Sequence, residues 1–496
     1  MLPALPAAGA LLLGLLLGLL ALWGLLCARP PGPAPCWPPG PRPLPLVGNL
    51  HLLGLRRQEH ALMALSERFG PVFTVHLGRQ KAVVLVGYEA VRAALLDTSQ
   101  ELADRPPIPI FQLIQGGRGI FFSSGARWRT ARKLTVRALH RLGLGPGPGA
   151  PRVLEELRCL VGQLDSYSGR PFPLALLGWA PSNVTFTLLL GRRLHYQDPL
   201  FVSLLGLIDQ VMVLLGSPGL QLFNAFPGLG ALLRLHRPVL RKTEEVCAIL
   251  RALLGARPPP TPGGGPLQSY LDALLQQCQV NDPKSPFTEA DAVACALDMV
   301  MAGTETTSAT LQWAALLMAK HPDVQRQVQE ELDRVLGRER PPQPRDLQAL
   351  PYTNAVLHEV QRFITLLPHA PRCTAADTHL GGYLLPKGTP VIPLLTSVLL
   401  DKTQWETPDQ FNPGHFLDPD GRFLPRAAFL PFSAGRRVCV GEGLARATLF
   451  LLFAGLLQRH HLQPPPGIGP AALDTAPVPA FTMRPRAQEL RALPRP

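Results

Sequence analysis

Ten residues near the carboxyl end restrict the fold of this chain more than any other segment. Residues 432–441 read FSAGRRVCVG, so that Cys439 is set among glycines and arginines. A thiolate that binds a metal stays deprotonated where backbone N–H groups and the positive end of a helix lie near the sulfur. Gly435 and Gly441 would let the backbone approach that sulfur, and Arg437 offers a fixed cation for an anionic cofactor group. The segment predicts that Cys439 is a metal ligand; a buried cysteine in a turn is the alternative.

The spacing F-x-x-G-x-R-x-C-x-G, followed by an apolar helix predicted over Leu444–Leu457, resembles the haem-ligand segment of the cytochrome P-450 superfamily. The likeness runs from Pro38–Pro41 to Phe481 and is closest to the microsomal family 2 enzymes, and among them to subfamily W. It implies a mainly α-helical protein with a smaller β region, built as a single large haem domain after an N-terminal transmembrane helix. It also implies haem b, iron protoporphyrin IX, with Cys439 as the iron ligand. Thiolate ligation pushes electron density onto iron and favours O–O cleavage.

The first residues predict a membrane anchor. Ala7–Ala28 has no charged residue in 22 positions, and a helix needs about 20 apolar residues to cross a bilayer. A cleaved signal peptide, the alternative, normally has a basic start and a shorter apolar core. Nine prolines within residues 29–45 predict a stiff, extended strut. We expect an anchor over residues 1–28, a proline-rich linker over 29–50 and a catalytic domain over 51–496.

The charges beside the apolar segment predict its orientation. Arg29 and Arg42 follow it, which favours a cytosolic catalytic domain. The resemblance implies the endoplasmic reticulum membrane, with one N-terminal span. Asn183 begins an Asn-Val-Thr acceptor tripeptide, but its apolar neighbours indicate a buried helix. Glycosylation of Asn183 would contradict this orientation.

The remaining chain reads mainly helical, with a few short strands. Phe73–Leu77 and Ala82–Val86 are apolar runs separated by Gly-Arg-Gln-Lys and predict a β-hairpin. Thr288–Lys320 predicts one long apolar helix with Thr288 as its N-cap, ended by His321-Pro322.

Residues 302–307, AGTETT, place polar side chains inside that apolar helix. A threonine can bond back to an earlier carbonyl and open a groove in a helix. The resemblance implies that this groove holds dioxygen over the iron, and that Glu305 and Thr306 relay protons to it. Helix packing alone is the alternative.

Other site residues are assigned through the resemblance. It implies that the haem propionates contact Arg105, Trp128, Arg132, Arg372, Ser433 and Arg437. Glu359 and Arg362 form an E-x-x-R pair on one helical face. In this family a basic residue completes the network, here His415 in place of the commoner arginine, and locks the loop that carries Cys439.

One face of the long helix is predicted to face the haem. Asp298, Ala302 and Thr306 recur every four residues. Asp298 suggests a cationic substrate, whereas the alternative is that it ties down the loop around residues 105–120. The resemblance adds further pocket residues, namely Phe111, Phe121, Phe223, Leu366, Leu367 and Phe481. These residues predict an apolar pocket and lipophilic substrates.

The expected reaction is hydroxylation or epoxidation of a lipophilic small molecule, with dioxygen and NADPH-derived electrons. Fatty acyl lipids, retinoids, steroids and aromatic xenobiotics all stay open as substrates. A reductase-independent haem-thiolate isomerase and a non-catalytic haem sensor are the alternatives. The isomerase is disfavoured because it needs no proton relay such as Glu305 and Thr306.

The net charge of +13 would attract polyanions such as nucleic acid, acidic lipid headgroups or an acidic protein, whereas a solvated basic surface is the favoured alternative for most of these charges. No long basic run or interleaved aromatic strip is present, so we do not expect nucleic-acid binding. The sequence shows no flavin or nicotinamide motif, and the resemblance implies a membrane-bound NADPH-cytochrome reductase, with cytochrome b5 as a further partner. The residues that could meet an acidic reductase face are Arg127, Arg129, Lys133, Arg137 and Arg436.

Overall fold

The computed structural model describes Gly18 and residues 37–54, 57–143, 149–258, 267–280 and 287–495. Apart from Gly18, the expected anchor Ala7–Ala28 lies outside the described residues. Within the described ranges no single helix is long and apolar enough to cross a membrane. Two consecutive helices, Pro199–Leu215 and Pro218–Ala225, meet that length and composition requirement when taken together. The chain bends by 58° at the break between them.

Helices make up most of the described chain, as predicted. They are α1 Leu50–Leu53, α2 Gln58–Phe69, α3 Tyr88–Arg92, α4 Pro109–Gln115, α5 Gly125–Arg141, α6 Ala150–Asp165, α7 Trp179–Leu190, α8 Pro199–Leu215, α9 Pro218–Ala225, α10 Pro227–Leu232, α11 Arg237–Gly255, α12 Tyr270–Cys278, α13 Glu289–Lys320, α14 Pro322–Leu336, α15 Pro351–Ile364, α16 Leu395–Leu399 and α17 Glu442–Arg459. Short 3-10 turns at Pro413–Phe416 and Gly435–Arg437 precede α17, and a π-helical turn, Ala93–Asp97, follows α3.

The strands form a smaller β region. They are β1 Val72–Leu77, β2 Gln80–Leu85, β3 Phe172–Pro173, β4 Arg372–Cys373, β5 Thr378–Leu380, β6 Tyr383–Leu385, β7 Pro390–Pro393, β8 His460–Gln463, β9 Val478–Pro479, β10 Met483–Arg484 and β11 Glu489–Pro494. One sheet has the order β1-β2-β7-β4, another β3-β11-β8, and β5-β6 and β9-β10 are separate pairs. The predicted hairpin is confirmed, because β1 and β2 pair antiparallel with Val72 opposite Leu85.

The long helix α13 runs through the core as predicted. Thr288 is its N-cap, and Thr288 and Asp291 form a reciprocal capping box that satisfies the first backbone donors. The helix ends at Lys320 and α14 begins at Pro322, because proline cannot donate to the preceding turn. The predicted helix after the cysteine is also present, as α17.

The proline-rich segment packs against the protein at residues 37–39, and residues 37–43 are not helical, in line with the expected strut. The Pro38 carbonyl accepts from Thr74 Oγ1 at 2.8 Å, and the Pro39 carbonyl accepts from the Thr74 N–H at 2.7 Å. Lys81 Nζ lies 3.7 Å from the centre of the Trp37 ring. Prolines lack N–H donors but keep their carbonyl acceptors, so residues 37–39 pack along the β1–β2 hairpin.

Asn183 lies in the core, within α7, and is fully buried. Its side-chain nitrogen donates to Glu156 Oε1 at 2.9 Å and to the Leu194 carbonyl at 2.6 Å. An acceptor asparagine for glycosylation must be exposed. The Asn-Val-Thr tripeptide is therefore structural, in agreement with the sequence interpretation.

Candidate haem-thiolate site

Cys439 lies on a short loop between a 3-10 turn and the first residue of α17. Its N–H donates to the Phe432 carbonyl at 3.1 Å, and α17 begins three residues later, at Glu442. Burial raises the pKa of the Cys439 thiol, while the Gly441 N–H that donates to the sulfur acts in the opposite direction. Protein surrounds the Cys439 side chain on most sides, yet the side chain is accessible to solvent. Cys439 therefore borders an internal space. A metal bound there would deprotonate the thiol.

The two glycines of the motif have different roles. Gly441 lies beside the sulfur, because a Cβ added there would be 3.9 Å from Cys439 Sγ. Gly435 has a φ of 70°, and a Cβ there would overlap the carbonyl oxygen of Leu95. The expected role of Gly435 in the approach to the sulfur and the porphyrin face stays a prediction, and the contact with Leu95 gives this glycine a second role. This glycine lets the loop pack against the Ala93–Asp97 turn.

Arginines from three separate segments form a cluster near Cys439; Arg372 and Arg437 are buried and Arg105 is half-buried. Arg437 Nε donates to the Ala103 carbonyl at 2.5 Å, and its Nη2 donates to the Ser123 carbonyl at 2.6 Å. Arg105 Nε donates to the Phe121 carbonyl at 2.8 Å. Arg372 Nη2 donates to Ser433 Oγ at 2.8 Å. In the described part of the chain, none of these arginines forms an ion pair with a carboxylate.

The positive charges of the neighbouring arginines lower one another's pKa values. Burial, followed by the charge of Arg105, lowers the pKa of Arg437 to about 8. Burial also lowers the pKa of Arg372, and the charges of Arg105, Arg437 and Arg132 add to that effect. The charges of Asp104 and Asp298 act in the opposite direction on Arg437 and Arg105, but among the described residues neither forms an ion pair with these arginines, so the geometry fits a group that brings negative charge.

Trp128 provides a further test of whether the site fits a negatively charged group. It lies on α5 with its ring centre 3.9 Å from Arg437 Cζ, and its Nε1 is buried without a hydrogen-bond partner among the described residues. A buried indole N–H normally finds an acceptor. Arg132, one turn further along α5, is half-buried, and its charge reaches the Cys439 thiol. The donors fit two carboxylates on one edge of a planar group whose metal binds Cys439.

The predicted helix face is open in the middle of α13. Ala302 is exposed and Thr306 half-buried, although the residues around them are mostly buried. Thr306 Oγ1 donates to the Ala302 carbonyl at 2.7 Å, which is the back-bond expected from the sequence. The other unusual residue, Gly303, packs against α7, since a Cβ there would lie 2.8 Å from Thr185 Oγ1. Helix packing thus accounts for Gly303.

Glu305 occupies a different environment from Thr306. Its carboxylate accepts from Arg484 Nε at 2.6 Å and from Arg484 Nη2 at 2.5 Å, and Thr482 Oγ1 donates to it at 2.5 Å. Arg484 lies on β10 and was not singled out by the sequence analysis. The structure therefore ties Glu305 to the C-terminal β9–β10 pair, and its role in proton relay stays a prediction.

Asp298 anchors a loop. Its carboxylate accepts from the N–H groups of Ile120 at 2.5 Å and Phe121 at 2.9 Å, and from Gln115 Nε2 at 2.7 Å. A Cβ at Gly119 would overlap Asp298 Oδ2. Burial raises the pKa of Asp298 to about 6, and these donors oppose the rise. Of the two alternatives, the geometry matches the loop anchor and not a cation-binding pocket residue.

Aromatic rings contact one another beside this loop. Phe111 stacks on Phe122 with centres 3.5 Å apart, and Phe121 lies 6.0 Å from Phe481. Phe122 was missed, although a Phe-Phe pair in a predicted pocket loop is a visible signal. Phe223 is buried in a cluster against which Phe111 packs, and its ring lies 4.8 Å from that of His236; its place on the pocket wall stays a prediction.

Leu366 and Leu367 lie after α15 and are each partly buried. The Leu366 carbonyl accepts from the Met483 N–H at 2.9 Å, so this segment contacts the β9–β10 pair. Their place on a substrate-binding wall remains a prediction.

The E-x-x-R network is present and fully buried. Arg362 Nε and Nη2 donate to the two Glu359 carboxylate oxygens, each at 2.7 Å. His415 Nδ1 lies 3.2 Å from Glu359 Oε2, and the Thr407 N–H donates to His415 Nε2 at 3.1 Å. His415 therefore carries its proton on Nδ1 and donates to Glu359. Arg362 also donates to the Leu399, Pro408 and Gln410 carbonyls, which fixes the segment before the Cys439 loop.

Cys439 beside an internal space and the nearby cluster of arginines define a candidate haem-thiolate site, in a mainly helical protein. Comparison with known proteins gives the family. The cytochrome P450 family model matches residues 38–491. The chain is 76% identical to cytochrome P450 2W1 of Homo sapiens over 489 residues, which covers 98% of this chain and 100% of that protein. It is 72% identical to cytochrome P450 2W1 of Mus musculus over 488 residues, covering 96% and 99%.

A more distant relative is cytochrome P450 2K6 of Danio rerio, 40% identical over 463 residues, with 91% and 90% covered. The chain therefore belongs to the cytochrome P450 family, within family 2 and subfamily W. It is a monooxygenase with haem b as its cofactor.

Proposed function

We propose that this monooxygenase hydroxylates or epoxidises a lipophilic small molecule that binds against the Phe111, Phe121 and Phe481 rings, with NADPH-derived electrons supplied by a membrane-bound reductase. The observation that carries the proposal is this aromatic cluster beside the open face of α13. Haem bound through Cys439, Trp128 and the arginine cluster supplies the activation of dioxygen. The rings exclude water and favour apolar ligands, whereas Asp298 is already satisfied by its loop.

Thr306 is the residue best placed to hold a proton on the open face. Its hydroxyl hydrogen is directed at the Ala302 carbonyl, so its lone pairs stay free to accept a hydrogen bond. A hydroxyl that both donates and accepts can stabilise a proton in transit. Glu305, the next acid along the helix, must leave Arg484 to take part.

The reductase is proposed to dock on the exposed side of α5. Trp128 and Arg132 point into the haem site from this helix, while Arg129, Lys133 and Arg137 are exposed on its other side. These three cations recur every four residues and form one basic stripe. One helix thus separates the basic stripe from the cofactor, and opposite charge would speed association.

Arg127 and Arg436 extend the proposed surface. Arg127 is half-exposed and lies 3.6 Å from Asp291, so part of its charge is offset. Arg436 is exposed, and its N–H donates to Ser99 Oγ at 3.2 Å. It is three residues from Cys439, so a partner bound there would be close to the iron ligand.

Charge reversal tests this docking surface. We expect Lys133→Glu to raise the reductase concentration needed for half-maximal NADPH oxidation about tenfold at low salt, because a rim charge mainly affects association. The difference should shrink as salt rises. Lys387→Glu, on the exposed turn between β6 and β7, is the matched control. Equal effects of the two reversals would contradict the docking surface.

The catalytic domain is proposed to rest on the endoplasmic reticulum membrane through apolar residues next to the proline-rich segment. Leu46 is 73% and Leu232 78% exposed. A Cβ at Gly48 would lie 2.7 Å from the Gly78 carbonyl oxygen, and one at Gly78 would lie 2.9 Å from the Ala225 carbonyl oxygen. The turn between β1 and β2 therefore contacts both the segment after Leu46 and the end of α9, and exposed apolar side chains in these segments suit a lipid surface. Cytochrome b5 is proposed as a second partner on the basic side.

Reconstitution tests the proposed reaction. The holoenzyme, reductase and NADPH are incubated with a panel of fatty acyl lipids, retinoids, steroids and planar aromatics, and products are scored by mass. We expect at least one product that gains one oxygen atom and depends on NADPH. Product formation without NADPH would favour the isomerase, and NADPH-independent ligand binding without any product would favour the sensor.

A further inference from the structure

The buried carboxylate of Glu305 is held from outside its own helix. Arg484 on β10 grips both carboxylate oxygens, through Nε at 2.6 Å and Nη2 at 2.5 Å, and Thr482 Oγ1 adds a third donor. Glu305 is 7% exposed, and the Arg484 side chain is 17% exposed. A bidentate guanidinium–carboxylate pair in such a place is strong and directional.

A bound guanidinium works against proton transfer by Glu305. Both carboxylate oxygens already accept hydrogen bonds from Arg484, so the paired acid is not free to bond to a proton donor or acceptor on the open face of α13. The pair also fixes the direction of the carboxylate. While Arg484 holds it, Glu305 cannot rotate toward the face of α13 on which Ala302 and Thr306 are accessible.

Arg484 has a second acidic partner. Its Nη1 donates to Asp209 Oδ1 at 2.5 Å, and Asp209 lies on α8 with its side chain 61% exposed. If Glu305 leaves, Arg484 keeps this ion pair and is not left as an uncompensated buried charge. Among the described residues, Arg484 is thus the charged group that contacts Glu305, and Asp209 is the acid that contacts the same guanidinium.

The same C-terminal turn touches the pocket and helix α8. The Phe481 N–H donates to the Met212 carbonyl on α8 at 3.0 Å, and its ring lies 6.4 Å from Phe111. A Cβ at Gly216, which follows α8, would overlap the backbone of Ala480. A shift of α8 against this turn would therefore move Asp209 relative to Arg484.

We propose that Arg484 is a positioning residue that withholds Glu305 from proton relay, and that Asp209 on α8 competes for Arg484 and so eases the release of Glu305. This inference rests on the proposed role of Glu305 in the monooxygenase reaction. It connects the position of a pocket helix to the supply of protons. It also explains why an arginine occurs in a short strand 179 residues from its partner.

Infrared difference spectroscopy of the ferric holoprotein tests the proposal without turnover. The carboxylate stretching bands of Glu305 are identified by their loss in Glu305→Gln. In Arg484→Gln we expect these bands to shift in frequency, because the bidentate guanidinium contact to both carboxylate oxygens is gone. Arg484→Lys keeps a cation and should stay nearer to the unmodified protein than Arg484→Gln does. Asp209→Asn removes the competing acid and should shift the bands in the opposite direction.

A second readout uses reductase and NADPH without added organic substrate, and measures hydrogen peroxide released per NADPH oxidised as a function of pH. The profile should change in Arg484→Gln but not further when Glu305→Gln is also present. Unchanged bands and profile in both Arg484→Gln and Asp209→Asn would overturn the proposal. Asp209→Asn is on the surface, so it decides the question even if Arg484→Gln fails to fold. Absent NADPH oxidation in the unmodified protein would contradict the proposed function alone, since the infrared result does not depend on it.

Discussion

At the scale of single residues, several side chains form hydrogen bonds with partners that the sequence does not predict. Asp298 is one example, because its three donors come from residues 115–121 and not from its own helix. Its position on the haem-facing side was predictable from helical periodicity. Which of two roles it takes depends on the path of a distant loop, and that path has no local pattern.

The stability of the protein should respond to the titration of Asp298. Burial raises its pKa to about 6, above the value of about 3.9 expected in an unfolded chain. The folded state therefore binds this proton more tightly, so the stability contribution is present below about pH 4 and is lost as pH rises to about 6. The total is on the order of 3 kcal/mol.

Thermal unfolding at pH 4.5 and pH 7 measures this contribution. The quantity compared is the difference between the unfolding temperatures at the two pH values. This difference should change in Asp298→Asn and stay unchanged in Asp323→Asn, whose side chain is 89% exposed. If Asp298→Asn leaves the pH dependence as it was, the carboxyl does not titrate in this range.

At the scale of elements, local pattern predicts what local interactions determine. The capping box at Thr288, the stop at Pro322 and the β1–β2 hairpin follow from neighbouring residues, and each was predicted. The Glu305–Arg484 ion pair could not be predicted, because its partners are far apart in sequence and lie on unrelated elements. The contact of Gly435 with Leu95 could not be predicted for the same reason, since Leu95 is distant in the chain.

Close packing of α7 on α13 depends on Gly303. We expect Gly303→Ala to lower the free energy of unfolding by about 1–3 kcal/mol, because the new Cβ would lie 2.8 Å from Thr185 Oγ1 and 2.9 Å from Thr185 Cγ2. Adding Thr185→Ala should restore most of the loss, as judged by thermal unfolding. Gly206→Ala on α8 is the control, since nothing lies within 4 Å of its added Cβ. No loss in Gly303→Ala, or no recovery in the double variant, would contradict this packing.

At the scale of the whole molecule, the haem site is assembled from segments spread across the catalytic domain. Arg105 comes from a loop, Arg132 from α5, Arg372 from β4 and Arg437 from the turn before Cys439. Composition and periodicity could not predict that these four arginines belong to one site, whereas the family resemblance named all four. In the structure two of the four, Arg372 and Arg437, are buried, and their position favours a group that brings negative charge.

The central claim is that Cys439 ligates haem iron as a thiolate, and the absorption spectrum of the reduced, carbon monoxide-bound protein tests it most directly. We predict a strongly red-shifted Soret band in the unmodified protein and its loss in Cys439→Ser. Cys373→Ser, at another buried cysteine, is the control and should keep the band. A red-shifted band that survives in Cys439→Ser, or a spectrum typical of imidazole ligation in the unmodified protein, would contradict the account.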